Sequence, residues 1–380
     1  MNADCAFLAP GRRPLVDPAT MRIAIVRLRV GLGDLMASVP ALRALRHARP
    51  DAQVTMITWE EMRPVVDRMA PYVDELLPFP GYVGIPEHPP DPEAWPGFLD
   101  AARRRRFDLA VQMYGGQAAA NDVTEQLGAR LTGGFFTPGA YDADLSTHVP
   151  YPHREHEIDR HLALLSFLGA PPQGRHMEWP LSERDHRESR ALRRRHSLDA
   201  APYAILHPGA TAPSRRWPPE RFAAVADALH SRGLRTVVTG VRGEEPLCRA
   251  VARHARTDVI DVCGATTIGG FGALVSTAEV VVTNDTGTAQ LAVALRVPSV
   301  TAFLAGDHLR WAGEDHRHRV VTAGVTCQPC GHQRCPIDHR CASLLHPDTV
   351  VAACDAALDG HTSPDAALAS GQSVPSTTCT

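Results

Sequence analysis

The sequence predicts an α/β protein built from two doubly wound domains, each a parallel sheet clothed by helices. Three observations carry that prediction. Short β-branched runs alternate with helix-length segments, the alternation occurs twice along the 380 residues, and a charged, Arg-rich stretch separates the two rounds. The length suits two domains of ordinary size, each with its own core.

The first round opens at Met21-Arg22-Ile23-Ala24-Ile25-Val26, a strand leading through a Gly-containing turn to a helix over Leu35 to Ala48. Val54 to Thr58 and Asp108 to Gln112 read as further strands. The polar stretch Gly174 to Ala201, with Arg190, Arg193, Arg194 and Arg195, reads as the interdomain connection. The second round then begins with the strand Tyr203 to Leu206 and a helix over Pro219 to Arg232. Strands follow at Thr236 to Thr239, Val259 to Val262 and Val280 to Thr283, then a helix over Ala289 to Leu295 and a strand over Ser299 to Phe303. The expected layout is a disordered leader over 1–20, a first domain over 21–175, a connection over 176–200, a second domain over 201–360 and a disordered tail over 361–380. The leader is an artefact if Met21 is the true start.

Composition narrows the class. An apolar fraction of 44% and a charged fraction of 21% fit a globular protein, and a net charge of -3 argues against nucleic acid as the main partner. No run approaches the roughly 18 apolar residues of a membrane-spanning helix. The first 20 residues also lack the apolar core of a secretory signal. The expected location is therefore cytoplasmic, where the nine cysteines are reduced thiols or metal ligands.

Four segments carry chemistry. The first βα turn, Arg27-Leu28-Arg29-Val30-Gly31-Leu32-Gly33-Asp34-Leu35-Met36, has the Gly31 and Gly33 spacing of a dinucleotide fingerprint, and Glu60 ends the second strand. Met36 holds the third glycine position, however, and the charge of Asp34 opposes a pyrophosphate at that helix mouth. Asp34 reads either as a helix N-cap or as a base that takes a proton from an acceptor hydroxyl admitted by the two glycines. His207-Pro208-Gly209-Ala210-Thr211-Ala212-Pro213-Ser214-Arg215-Arg216-Trp217 follows the first strand of the second domain. Its glycine and paired arginines suit a diphosphate; the plainer reading is a solvated loop anchored by Trp217. Thr283-Asn284-Asp285-Thr286-Gly287-Thr288 opens a helix whose first amides can hold phosphate oxygens, with Asp285 either capping the helix or accepting from sugar hydroxyls. Glu244, preferred over Glu245, stands just beyond a strand end, where a carboxylate binds ribose hydroxyls or simply makes the first helical turn acidic.

Taken together, Arg27 through Arg43, His207 through Phe222 and Asn284 through Pro298 resemble glycosyltransferase family 9, the heptosyltransferases of lipopolysaccharide assembly. The resemblance covers nearly the whole chain between its tails. It implies the GT-B fold, two Rossmann-like domains with parallel sheets facing across a cleft, the acceptor held mainly by the first and the donor by the second. It also implies an inverting transferase of the EC 2.4 class, with ADP-heptose as donor and a lipopolysaccharide-core or other glycan or glycolipid as acceptor. By position Asp34 matches the family's base, and Arg215 stands where members commonly carry a Lys that neutralises the diphosphate. Glu244 matches the ribose acid, and Asp285-Thr286-Gly287 the donor-phosphate turn, with Gly209 and Arg216 beside them. The sequence departs from the pattern at Thr288 and Gln290 and at Leu304-Ala305-Gly306-Asp307, which bears on the donor sugar rather than the reaction type.

The implied chemistry is a single in-line displacement. Asp34 deprotonates the acceptor, and Arg215, with Arg216 and the Thr286 and Gly287 amides, stabilises the departing phosphate. No Asp-x-Asp clamp stands at a strand end, so catalysis requires no metal. Cys327, Cys330, Cys335 and Cys341 have the spacing of a structural Zn or Fe site, with free thiols as the alternative and His332, His339 and His346 as substitute ligands. Arg103 to Arg106 read as a solvated helix face or as a peripheral contact with the anionic inner membrane. The competing functions are an NAD-dependent oxidoreductase, suggested by Gly31, Gly33 and Glu60, and a non-catalytic nucleotide-sugar-binding protein.

Overall fold

A computed structural model of the protein describes residues 13–362. It divides into two compact units. The first runs to Ser182 and takes in Leu309–Trp311; the second comprises Glu183–His308 and the chain from Ala312 on.

The first unit holds six parallel strands: β1 (Arg22–Val26), β2 (Gln53–Thr58), β3 (Glu75–Pro78), β4 (Leu109–Gln112), β5 (Leu131–Phe136) and β6 (His148–Pro150). Their order across the sheet is β3-β2-β1-β4-β5-β6. β1 lies centrally with Ile23, Ala24, Ile25 and Val26 fully buried, as expected of a strand covered on both faces. The helices longer than four residues are α1 (Leu32–Met36), α2 (Val39–Ala48), α3 (Ala94–Arg105), α4 (Ala118–Gln126) and α5 (Glu157–Phe167). The single helix expected from Leu35 to Ala48 is thus two. Pro40 has no N–H to offer the Met36 carbonyl, so the ladder stops and restarts. The basic run Arg103 to Arg106 ends α3, where its charge complements the helix dipole, and Arg105 pairs with Glu75.

The second unit repeats the plan with β7 (Tyr203–His207), β8 (Arg235–Val238), β9 (Val259–Asp261), β10 (Val280–Asn284), β11 (Ser299–Ala302) and β12 (His318–Val321). All pair in parallel, in the order β12-β11-β10-β7-β8-β9. Its helices longer than four residues are α6 (Glu183–Arg195), α7 (Pro219–His230), α8 (Glu245–His254), α9 (Ile268–Val275), α10 (Gly287–Ala294) and α11 (Pro347–Thr362). Phe222, Ala226 and Leu229 of α7 and Val350, Cys354 and Ala357 of α11 recur at helical spacing and are fully buried. With Leu206, Val280, Val300 and Trp217 the first five of these form one core; truncating Phe222 to Ala there costs about 3–5 kcal/mol. In each sheet the order reverses beside the first strand, between β1 and β4 and between β7 and β10. Ligands of open parallel sheets bind beyond the carboxyl ends at such points.

Two sequence expectations change here. Residues 13–20 of the leader are packed: Leu15 is 1% exposed and donates to the Leu168 carbonyl, and Arg49 donates to the Pro18 carbonyl. An apolar anchor and a buried guanidinium hold them. The rest of the leader, 1–12, and residues 363–380 of the tail lie outside the described residues, while 361 and 362 end α11. The Arg-rich stretch drawn as a connection is, over Glu183–Arg195, a helix of the second unit.

Candidate active site

In the first unit the turn after β1 is clamped from beneath. The Arg27 side chain is fully buried. Its Nη1 donates to the Met113 carbonyl at 2.8 Å, and its Nη2 donates to the Asp34 carbonyl at 2.9 Å and to Glu157 Oε1 at 3.1 Å. The same nitrogen lies 3.7 Å from Asp34 Oδ1. Asp34 is not the cap of α1. Gly31 occupies that position, and Asp34 sits in the first turn with its carboxylate folded back over Gly31, where an added Cβ would collide with it. Gly33 is buried inside α1, so of the two glycines expected at an acceptor only Gly31 lies at the surface of the turn.

The Asp34 side chain keeps 28% of its surface open, so a hydroxyl can reach it. Burial of the carboxyl nevertheless raises its pKa above the ordinary aspartate value, against the opposing pull of Arg27 and Arg29. Beneath it lies a network that no sequence motif announces. Glu157, 3% exposed, accepts from Arg27, from Arg160 at 2.9 Å and from Arg310 at 2.9 Å. Burial opposes its charge, but His161 and the three guanidinium groups outweigh that and hold its carboxyl well below the usual range. His161, buried against the same group and facing Arg27, is lowered to about 3 and stays neutral at physiological pH. Beside the turn, Arg29 pairs with Glu87 at 2.9 Å and lies 4.1 Å over the Tyr114 ring, whose hydroxyl donates to Glu87 at 2.8 Å.

In the second unit three loops meet beyond the strand ends. Asn284, fully buried at the end of β10, donates through Nδ2 to the Pro208 carbonyl at 2.9 Å and the Gly209 carbonyl at 3.3 Å, and accepts from the Trp217 amide at 3.0 Å. One side chain therefore fixes both ends of the loop carrying Arg215. Trp217 is buried against Phe222 and donates to the Leu345 carbonyl at 3.2 Å, as a packing anchor should. Arg215, 43% exposed, reaches Asp285 Oδ2 at 3.5 Å. Arg216 instead turns its Nε to the Ala210 carbonyl at 2.7 Å and braces its own loop. Glu244 rests against Gly209, where an added Cβ would strike its carboxylate, and Asp285 rests in the same way against Gly306. Glu244 also accepts from the Val241 amide at 3.0 Å and stands 3.9 Å from His207, whose pKa burial lowers. Thr286, not Asp285, caps α10, accepting from the Thr288 amide at 3.2 Å and leaving the Asp285 carboxylate to Arg215.

The Cys-rich segment packs against this loop. The Ser214 amide donates to the Gln333 carbonyl at 3.1 Å, Ser214 Oγ donates to the His332 carbonyl, and His339 Nε2 donates to the Ser214 carbonyl at 2.9 Å. Cys327, Cys330 and Cys335 all lie within electrostatic reach of the buried Cys341 thiol, which burial pushes up. Their sulfurs are not drawn to ligand spacing. Among the described residues the group of three His, Cys, Asp or Glu side chains whose ligand atoms gather within 4.8 Å of one another is Cys248, Asp261 and Cys263.

A family model described as glycosyltransferase family 9 (heptosyltransferase) matches residues 99–340. The chain belongs to glycosyltransferase family 9. This family 9 transferase is 24% identical to lipopolysaccharide heptosyltransferase 3 of Escherichia coli over 295 residues, covering 73% of this chain and 82% of that one. A family 9 glycosyl transferase from Veillonella parvula DSM 2008 superposes with a TM-score of 0.75 at 20% identity, over 93% of this chain and all of that one, 100%. The E. coli ADP-heptose lps heptosyltransferase II superposes with a TM-score of 0.70 at 20% identity, over 90% and 100%. The transferase thus has the GT-B fold of its family. The oxidoreductase alternative falls with this membership, and Glu60, its supposed ribose acid, is spent on an exposed pair with Arg63 at 2.5 Å.

Proposed function

We propose that this family 9 transferase moves a heptose from ADP-heptose to a lipopolysaccharide-core or related glycan acceptor, with inversion at the anomeric carbon. Asp34 is the base, and its reachable carboxylate, bedded on Gly31 and backed by Arg27, is the observation that carries the reading. In the second unit Arg215 and the amides of Thr286 and Gly287 receive the diphosphate, Glu244 holds the ribose, and Asp285 orients Arg215. Gly209 gives Glu244 its seat, and Arg216 supports the loop. The acceptor hydroxyl attacks the anomeric carbon as Asp34 takes its proton, and the electron pair of the cleaved bond leaves on the ADP phosphate, where cationic and amide donors stabilise it. In the same reading Cys327, Cys330, Cys335 and Cys341 close on a structural zinc or iron that stiffens the Ser214 contact, and the transfer step itself uses no cofactor.

The test incubates purified protein with ADP-heptose and a truncated lipopolysaccharide core, following ADP release and product mass. Transfer is expected, with Asp34→Asn slower by about 100- to 10,000-fold. Full activity in Asp34→Asn sinks the base assignment. Turnover of another nucleotide sugar with ADP-heptose inert sinks the donor assignment.

A further inference from the structure

A second group of chemistry-bearing side chains lies outside the transfer machinery. Cys248 of α8 is fully buried, Cys263 is half-buried just after β9, and Asp261 is exposed at the end of β9. One ligand atom from each lies within 4.8 Å of the other two. The two sulfurs also converge on Gly240: a Cβ there would sit 3.0 Å from Cys248 Sγ and 3.1 Å from Cys263 Sγ, so the cluster occupies space that only glycine leaves open. Asp261 is folded back by a turn in which its Oδ1 accepts the Cys263 amide at 2.9 Å, and that turn delivers the carboxylate to the sulfurs.

We propose that Cys248, Cys263 and Asp261 form a binding site for a thiophilic divalent cation such as zinc. The donor set is two sulfurs and one carboxylate, which favours zinc over magnesium or calcium, since hard cations take oxygen donors almost exclusively. In a tetrahedral zinc site, ligand atoms stand about 3.5 to 3.8 Å apart, so the three need only modest closure. Asp261 is at the surface, which leaves the fourth position to water. As free thiols, Cys248 and Cys263 donate weakly to the Thr239 and Val241 carbonyls at 3.5 and 3.2 Å; on metal binding both protons pass to solvent. The cation ties α8 to the end of β9 around the Gly240–Glu244 loop. If Glu244 is the ribose acid, as argued above, the cation also fixes that acid's loop.

The test is cobalt(II) titration of the full chain, reduced and freed of metal, without nucleotide, following thiolate-to-cobalt charge-transfer absorption. Cys263→Ser and Asp261→Asn are each expected to weaken one cobalt per chain by about tenfold or more, while Cys327→Ser leaves that ion in place. Asp261→Asn changes an exposed carboxylate and serves if Cys263→Ser misfolds. Unchanged stoichiometry and affinity in both variants overturns the proposal, as does a reduced chain that binds no cobalt. Neither outcome depends on the nucleotide reading of Glu244, which ADP binding by Glu244→Gln tests separately.

Discussion

Asp34 sits in a place that disfavours its charge, and residues both near and far in sequence set the balance. Burial raises its pKa, Arg27 and Arg29 lower it, and the negative charge of Glu157 raises it again. Glu157 also shares the Arg27 guanidinium with Asp34, so it sets how firmly that group holds the turn. The proposed base must be ionised to work, so activity is expected to fall as pH drops through the Asp34 pKa. Glu157→Gln removes one negative charge and returns more of Arg27 to Asp34. The acid limb of the kcat/KM profile is then expected to move to lower pH, with a several-fold fall in plateau kcat as the base weakens. A plateau loss with the limb unmoved means that Glu157 only packs. Asp34 was legible as a candidate because its glycines and strand lie beside it in the chain. Glu157 was not, because its partner is 130 residues away and no local pattern marks that pairing.

At the scale of elements, the β-branched strands were readable, β9 at a sheet edge among them, while β3, β5, β6 and β12 were not. β1, β2, β7, β8 and β10 are β-branched runs buried on both sides, and their apolar character shows in the sequence. β5 reads Leu-Thr-Gly-Gly-Phe-Phe, with Gly133 needed because a Cβ would press on the Thr147 carbonyl; β6 has three residues and β3 ends in Pro78. Those compositions look like turns, and only pairing reveals them. The Arg215 loop was visible as a motif, yet its support was not. It is held by Asn284 on one side and by the Cys-rich segment on the other, through His339. Removing that imidazole in His339→Ala frees the Ser214 carbonyl and loosens the loop. ADP affinity by titration calorimetry is expected to fall about 3- to 10-fold, the worth of one hydrogen bond. Arg215→Ala should cost at least as much. Unaltered ADP affinity in His339→Ala, alongside a loss in Arg215→Ala, removes the segment from the proposed donor site.

For the whole molecule the buried histidines set the response to acid. Burial lowers His161 to about 3 and His318 to about 4, and lowers His148 and His207 too. In the unfolded chain each titrates near 6.5. Below that pH the unfolded state takes up protons that the folded state refuses, so stability falls as pH drops from about 6.5 towards 4. Glu157 acts in the same direction: its depressed carboxyl contributes fully above its unfolded value of 4.5 and less as pH falls below it. Each histidine contributes a slope of up to about 1.4 kcal/mol per pH unit. Urea unfolding at pH 7.5, 6 and 5 should show a falling midpoint, with a shallower fall in His161→Asn. A midpoint that holds or rises at pH 5 refutes this.

Asp34, Glu244 and Asp285 share one more property: each lies on bare backbone, against Gly31, Gly209 and Gly306 respectively. Among the described residues no helix is long and apolar enough to cross a membrane. A single methyl group at any of the three glycines would evict an acid without altering its identity. A relative that retained all three acids but gained a side chain beneath one of them would still look complete when scanned for reactive residues, yet that acid could no longer sit where it sits here.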